Sequence, residues 1–212
     1  MAVYDLQEQE QIDALKAWWK HNRKLILLAV VAGVLTFGAI AGWYYHKNQQ
    51  ELAAGELYSQ METALNSGDK SKVRNIVATL TADYPRTGYA ALAALIGARA
   101  ADDIGDVAGA QARLHWLIDN AADDATRDLA RLRLAALLLD DKKFPDALIL
   151  LDAKHGEAWD ALYANLRGDV LIAQGRVDEA RAAYRIAFDK SSAQNAFRTL
   201  VQTKLDALGG VK

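Results

Sequence analysis

Four histidines, His21, His46, His115 and His155, and three acidic doublets, Asp102-Asp103, Asp123-Asp124 and Asp140-Asp141, are the residues of this 212-residue chain whose types could hold a metal or move a proton. Two ligands reach one ion from a helix only when they stand three or four residues apart on one face. The histidines are scattered, and none belongs to a His-x-x-x-His or Glu-x-x-His pair. The doublets fall at predicted helix ends, where aspartate ordinarily caps a helix or opens a turn. The chain has no cysteine, which removes disulfides, Cys-ligated zinc and thiol catalysis together. It has neither a phosphate-binding glycine loop nor a nucleophile elbow. Trp116 and Trp159 sit on helical patterns and read as core rather than as a ligand cage. The expectation is a protein that is not an enzyme and needs no cofactor or metal. Formal charge is −2, and beyond the N-terminal region there is no long Lys/Arg run of the kind that displaces counterions from nucleic acid.

The elements that position these residues are helical throughout. The chain is rich in Ala and Leu, and its two prolines, Pro85 and Pro145, separate apolar-periodic stretches rather than interrupt them. The expected fold class is all-α: one N-terminal transmembrane helix, then an α-solenoid of helix pairs with a C-terminal capping helix. At this length one modest core fits beside an anchor.

From Leu25 to Tyr45 the chain runs LILLAVVAGVLTFGAIAGWYY without a charge. As a helix this stretch is roughly 32 Å long, enough to cross the roughly 30 Å hydrocarbon layer. It is apolar or small on every side, whereas a buried helix of a soluble protein normally keeps a polar face. Lys16, Lys20, Arg23 and Lys24 precede it and only Lys47 follows closely, so the N-terminus is expected inside. Trp18, Trp19, Trp43, Tyr44 and Tyr45 fall where the two headgroup layers would lie. Ala39-Ile40-Ala41 would also satisfy a leader-peptidase pattern. Against that reading, a leader of about 24 residues containing Asp5, Glu8, Glu10 and Asp13 is long and acidic, and the apolar run exceeds the usual roughly 7 to 15 residues. The expected organisation is a cytoplasmic arm over 1–24, a membrane helix over 25–45 and an extracytoplasmic repeat domain over 46–212.

Within the span, Gly38 and Gly42 form a GxxxG, and Ala29 with Gly33 repeats the small-xxx-small spacing. That ribbon lets another helix approach closely, although glycine is common in membrane helices for other reasons. In the arm, Leu6, Ile12, Leu15 and Trp19 fall near one helical face and Glu8, Asp13, Lys16 and Lys20 mostly on the other. This suits a short amphipathic helix on the inner leaflet, or a solvated terminus.

Beyond the span a short phrase returns at Gly68, Gly105, Lys142 and Gly175, at intervals of 37, 37 and 33 residues. Such a period means stacked helix pairs, because one hairpin cannot bury its apolar face alone. In the phrase, glycine takes the left-handed conformation that ends a first helix, and a small residue five positions on lets the second helix pack closely. Small residues near the eighth and twentieth positions and a large one at the twenty-fourth, here Gly168, Ala180 and Tyr184, resemble the tetratricopeptide repeat, and Pro85 after Tyr84 matches its closing proline. The chain departs from that repeat in lacking its early aromatic and in placing Lys142 at a turn glycine. Ala193 to Leu208 is expected to form a final helix closed by Gly209-Gly210 and to cap the array. If the register holds, Tyr58, Glu62, Leu95, Arg99, Leu132, Leu162, Asn165 and Asp169 face the inner wall, a mixture suited to binding an extended or helical polypeptide.

The order of parts, with Tyr4, Glu8-Gln9-Glu10-Gln11, Ala14-Leu15-Lys16-Ala17-Trp18-Trp19-Lys20 and then Gly42-Trp43 closing the span, resembles the YfgM family of ancillary subunits of the bacterial Sec translocon. One departure is Asn22-Arg23, where Asn-Gly is expected. The resemblance implies inner-membrane localisation with the C-terminal domain in the periplasm. It also implies association with the SecYEG translocon and a PpiD-type membrane-anchored prolyl isomerase, and a chaperone-like role toward translocating polypeptides. A tethered scaffold for envelope assembly or division, without client polypeptides, is the alternative.

Overall fold

A computed structural model describes residues 2–192 and 196–209. Among them nine α-helices follow one another: α1 Ala2–Ser67, α2 Lys70–Asp83, α3 Gly88–Asp102, α4 Val107–Asn120, α5 Asp124–Asp140, α6 Phe144–Asp152, α7 Asp160–Ala173, α8 Val177–Lys190 and α9 Ala196–Ala207. Among the described residues there is no strand, as the all-α expectation required. The chain divides into two compact units, Met1–Gln50 and Glu51–Lys212.

The first unit is helical over its described length and belongs wholly to α1. Its 18-residue apolar window has a mean hydropathy of 2.5, and none of it is buried. Trp43 and Tyr44 meet edge to face at 5.0 Å, with the Lys47 ammonium 5.7 Å from the Trp43 ring. In the arm Lys16 pairs with Asp13 at 3.1 Å, and Ile12, Leu15 and Trp19 are exposed. The side chains of Tyr4, Leu6 and Glu8 lie outside the described residues.

The second unit is a series of hairpins. The C-terminal part of α1 shares an apolar cluster with α2 and α3, and the pairs α3 with α4, α5 with α6 and α7 with α8 follow, with α3, α5 and α7 each also packing on the hairpin before it. A turn separates the two helices of each hairpin. Gly68, Gly105 and Gly175 have φ of 73°, 77° and 76°, and Lys142 occupies the same left-handed region at φ 59° without being glycine. The residues five positions on, Val73, Ala110, Ala147 and Ala180, are buried at the start of each second helix, and the stripe continues through Leu114, Leu117, Leu151, Tyr184 and Ala187.

Pro145 sits in the first turn of α6, where no backbone N–H is needed for the helix ladder. Aspartates start the helices: Asp69, Asp106 and Asp123 accept from the backbone N–H of Lys72, Gly109 and Thr126. Three apolar clusters run through the array, joined by Trp116 between the first and second hairpins' cores and by Leu148 between the next two. Fully buried leucines such as Leu80, Leu114 and Leu134 each contribute about 2 kcal/mol by leaving water. Val201 and Leu205 of α9 complete the last cluster. The expected cap therefore exists as Ala196–Ala207 followed by Gly209 at φ 101°. Residues 193–195 and 210, where its outer bounds were expected, lie outside the described residues.

Candidate functional site

The acidic doublets act as helix punctuation. Asp123 caps α5, and the amide of Thr126 donating to its carboxylate holds its pKa below the usual range. Asp103 ends α3 and pairs with Arg99 at 2.8 Å, and Asp141 ends α5 and pairs with Lys143 at 2.7 Å. Among the described residues no group of three or more His, Asp or Glu side chains converges as a metal site would. His155 stacks edge-on against Tyr163 at 4.0 Å. Trp116 and Trp159 are half-buried against the apolar clusters.

The positions expected on the inner wall all lie on first helices of the hairpins: Tyr58 and Glu62 on α1, Leu95 and Arg99 on α3, Leu132 on α5, and Leu162, Asn165 and Asp169 on α7. Tyr58 is half-buried against Tyr89, ring centroids 5.5 Å apart, and its pKa is raised by that burial and by the charge of Glu62. Leu95 and Leu132 are half-buried, whereas Glu62, Arg99 and Leu162 are exposed.

The structure brings Asn165 and Asp169 together and gives both an intramolecular partner. The Lys204 ammonium, from the cap helix, donates to Asn165 Oδ1 at 2.9 Å and to Asp169 at 2.6 and 2.9 Å. The Tyr184 hydroxyl donates to the same carboxylate at 2.6 Å, and burial together with that bond pushes the Tyr184 pKa up. Tyr184 reaches Asp169 because Gly168 leaves room for its ring: a Cβ at Gly168 would lie 2.5 Å from Tyr184 Cδ1. The cap is also fastened by Arg198, which lies over the Phe188 ring at 3.6 Å and donates to the carbonyls of Phe188 and Ser191. Arg181 donates to the Leu208 carbonyl at 2.7 Å.

Sequence reasoning missed a second polar node. Asp128 is 2% exposed and accepts from Arg131 at 2.8 Å and from the Gly156 amide at 3.0 Å, while the Tyr163 hydroxyl donates to its carbonyl at 2.8 Å. These bonds tie the α6–α7 connection to α5, and burial first, then the Asp128 charge, pushes Tyr163 up to about 12. The available signal was Asp128 seven residues before Ala135 on the stripe that buries Leu134 and Leu138. Along the apolar stretch, Ala29, Gly33, Gly38 and Gly42 are exposed, and a Cβ at any of the three glycines would meet no atom within 4 Å.

The described residues present an exposed apolar helical stretch and a stack of hairpins locked at its C-terminal end. A tetratricopeptide repeat-like domain family model matches residues 16–210. The chain is 30% identical to an ancillary SecYEG translocon subunit of Haemophilus influenzae over 95% of this chain and 92% of the relative. It is 30% identical to one of Neisseria gonorrhoeae over 96% and 98%, and 30% identical to one of Escherichia coli over 98% and 99%. No solved structure matches the chain significantly. With the repeat-like match over most of its length and relatives of that identity end to end, the chain belongs to the family of ancillary SecYEG translocon subunits.

Proposed function

We propose that this protein is a bitopic accessory subunit of the Sec translocon that works by binding and performs no turnover. Residues 1–24 lie in the cytoplasm, 25–45 cross the inner membrane, and 46–212 present the repeats to the periplasm. The observation that carries this reading is an apolar window of membrane length with none of its residues buried, in a chain whose relatives are named as translocon subunits. The basic flank before the span sets the direction, and the small-residue ribbon through Ala29, Gly33, Gly38 and Gly42 gives a partner membrane helix a surface of close approach. The partners are a SecYEG-type channel and a PpiD-type anchored prolyl isomerase.

The first-helix wall, from Tyr58 and Glu62 through Leu95, Arg99 and Leu132 to Leu162, receives emerging polypeptides in a chaperone-like manner. At its far end Asn165 and Asp169 are engaged by Lys204, so the wall's open stretch runs from Tyr58 to Leu162. The test is a photocrosslinker placed at Arg99 or Leu162 in cells exporting a stalled secretory chain. The nascent chain should be captured from both positions and from none on the outer face of α8, such as Ile186. Equal capture from all three, or capture from Ile186 alone, contradicts the assignment of that face.

A further inference from the structure

We propose that the seam between the first two hairpins is a second docking site, separate from the first-helix wall, and that it takes an extended acidic and apolar segment of a partner polypeptide. Two clefts of about 310 and 330 Å³ lie along α2. One is bordered by Lys70, Val73 and Arg74 and the other by Val77, Ala78 and Thr81, and Arg113 of α4 borders both. From Lys70 to Thr81 the helix rises about 17 Å, the reach of about five extended residues. A compact small molecule would occupy one end of such a groove, whereas a peptide strand follows all of it.

Two glycines shape the groove. Gly97 of α3 is buried, and a Cβ there would lie 2.9 Å from Val77 Cγ1 and 3.1 Å from the Arg113 side chain. A Cβ at Gly109 would run into the Asp106 carboxylate and lie 2.9 Å from Arg113 Nη1, which donates to the Gly109 carbonyl at 2.8 Å. Arg113 is thereby seated across α3 and α4 as a fixed cation midway along the seam, and a fixed donor loses little entropy on binding an anion.

The charge left over at the seam is positive. Of its two carboxylates, Asp103 is neutralised by Arg99 at 2.8 Å and Asp106 accepts from the Gly109 amide at 2.9 Å, so Asp106 alone stands against Lys70, Arg74 and Arg113. Lys70 and Arg74 are exposed, and among the described residues neither side chain has an ion-pair partner. Apolar surface flanks the cations: Leu65 and Ile104, 40% and 59% exposed, at one end and Trp116 at the other. The complementary ligand is a strand with carboxylates between aliphatic or aromatic side chains.

The experiment titrates the full chain in mild detergent with the fluorescein-labelled peptide Ser-Gly-Leu-Glu-Phe-Glu-Leu-Gly-Ser and reads anisotropy. Saturable binding is expected, weakened about tenfold or more by Lys70→Glu with Arg74→Glu, weakened by added salt, and lost when the peptide's Glu residues become Lys. Arg74→Gln should shift affinity in the same direction by a smaller factor, and Ile186→Ala, at an exposed position on α8, should leave it unchanged. Absence of saturable binding, equal binding of the Lys peptide, or indifference to the Lys70 and Arg74 changes overturns the proposal. Loss through Leu162→Ala alone would move the peptide to the first-helix wall and overturn it equally.

Discussion

The apolar stretch Leu25–Tyr45 and the α7–α8 hairpin are both helical and both use glycine, yet glycine does opposite work in them. Around Gly33, Gly38 and Gly42 a Cβ would meet open space, and the neighbouring Leu35, Phe37 and Ile40 are 68%, 75% and 50% exposed. At Gly168 the space a Cβ would take is filled by the Tyr184 ring, and Tyr163, Leu166, Val170 and Leu171 around it are buried. The difference lies in pattern. The hairpin carries its apolar residues as a stripe that one neighbouring helix can cover, while the stretch is apolar all round and needs an apolar surrounding.

The largest effect expected from this contrast is at Gly168. Gly168→Leu drives a side chain into Tyr184 and should destabilise the repeat unit by about 3 kcal/mol or more, read from thermal melting. If the mutant melts like the parent, the close packing of α7 on α8 is wrong.

Next comes Lys204→Ala, which leaves the Asp169 carboxylate half-buried without a cation, with the Tyr184 hydroxyl and the Asn165 amide as its remaining donors. It should cost about 1 to 2 kcal/mol and speed amide exchange in α9 more than in α3, as hydrogen exchange would show.

The pH dependence sharpens the same contrast. Burial, and then the charge of Asp128, pushes the Tyr163 hydroxyl up to about 12 in the folded protein, against about 10 for an unfolded tyrosine. The folded state therefore keeps its proton where the unfolded state loses it, and stability present below pH 10 should decline as pH rises toward 12. Tyr163→Phe should flatten that part of the stability profile. A parent profile already flat there contradicts the burial of this hydroxyl.

A smaller gain is expected from Lys142→Gly. A left-handed residue with a Cβ costs about 1 kcal/mol, so the variant should melt slightly higher. The smallest effect on folding belongs to Gly38→Leu with Gly42→Leu, which should leave the melting of the repeats unchanged while reducing recovery of a membrane partner.

Much of this contrast was readable from local pattern. The long apolar helix showed itself by length and lack of charge, and the turns by the returning phrase. Lys142 reads as a departure from the repeat, yet its backbone adopts the same left-handed turn, because the packing of Ala147 and Leu138 on either side fixes the chain there. What the residues did not announce are bonds between distant positions. Asp169 and Lys204 are 35 residues apart, and Asp128 and Gly156 are 28 apart, so no periodicity links them. Placing Asn165 and Asp169 on a wall by register alone could not reveal that the cap's ammonium reaches them. The extent of α1 was equally hidden, since a change from lipid-like to aqueous composition at Lys47 does not interrupt the helix.

If an uncleaved apolar helix holds these repeats beside the secretion channel, both should be recoverable together. Membranes from cells making a C-terminally tagged chain are solubilised in mild detergent and purified on the tag, and both the N-terminal sequence of the recovered protein and what accompanies it are determined. The recovered chain should still carry residues 25–45 and bring the SecYEG channel with it. A chain beginning after Ala41, or an intact one recovered repeatedly without the channel, would contradict that arrangement.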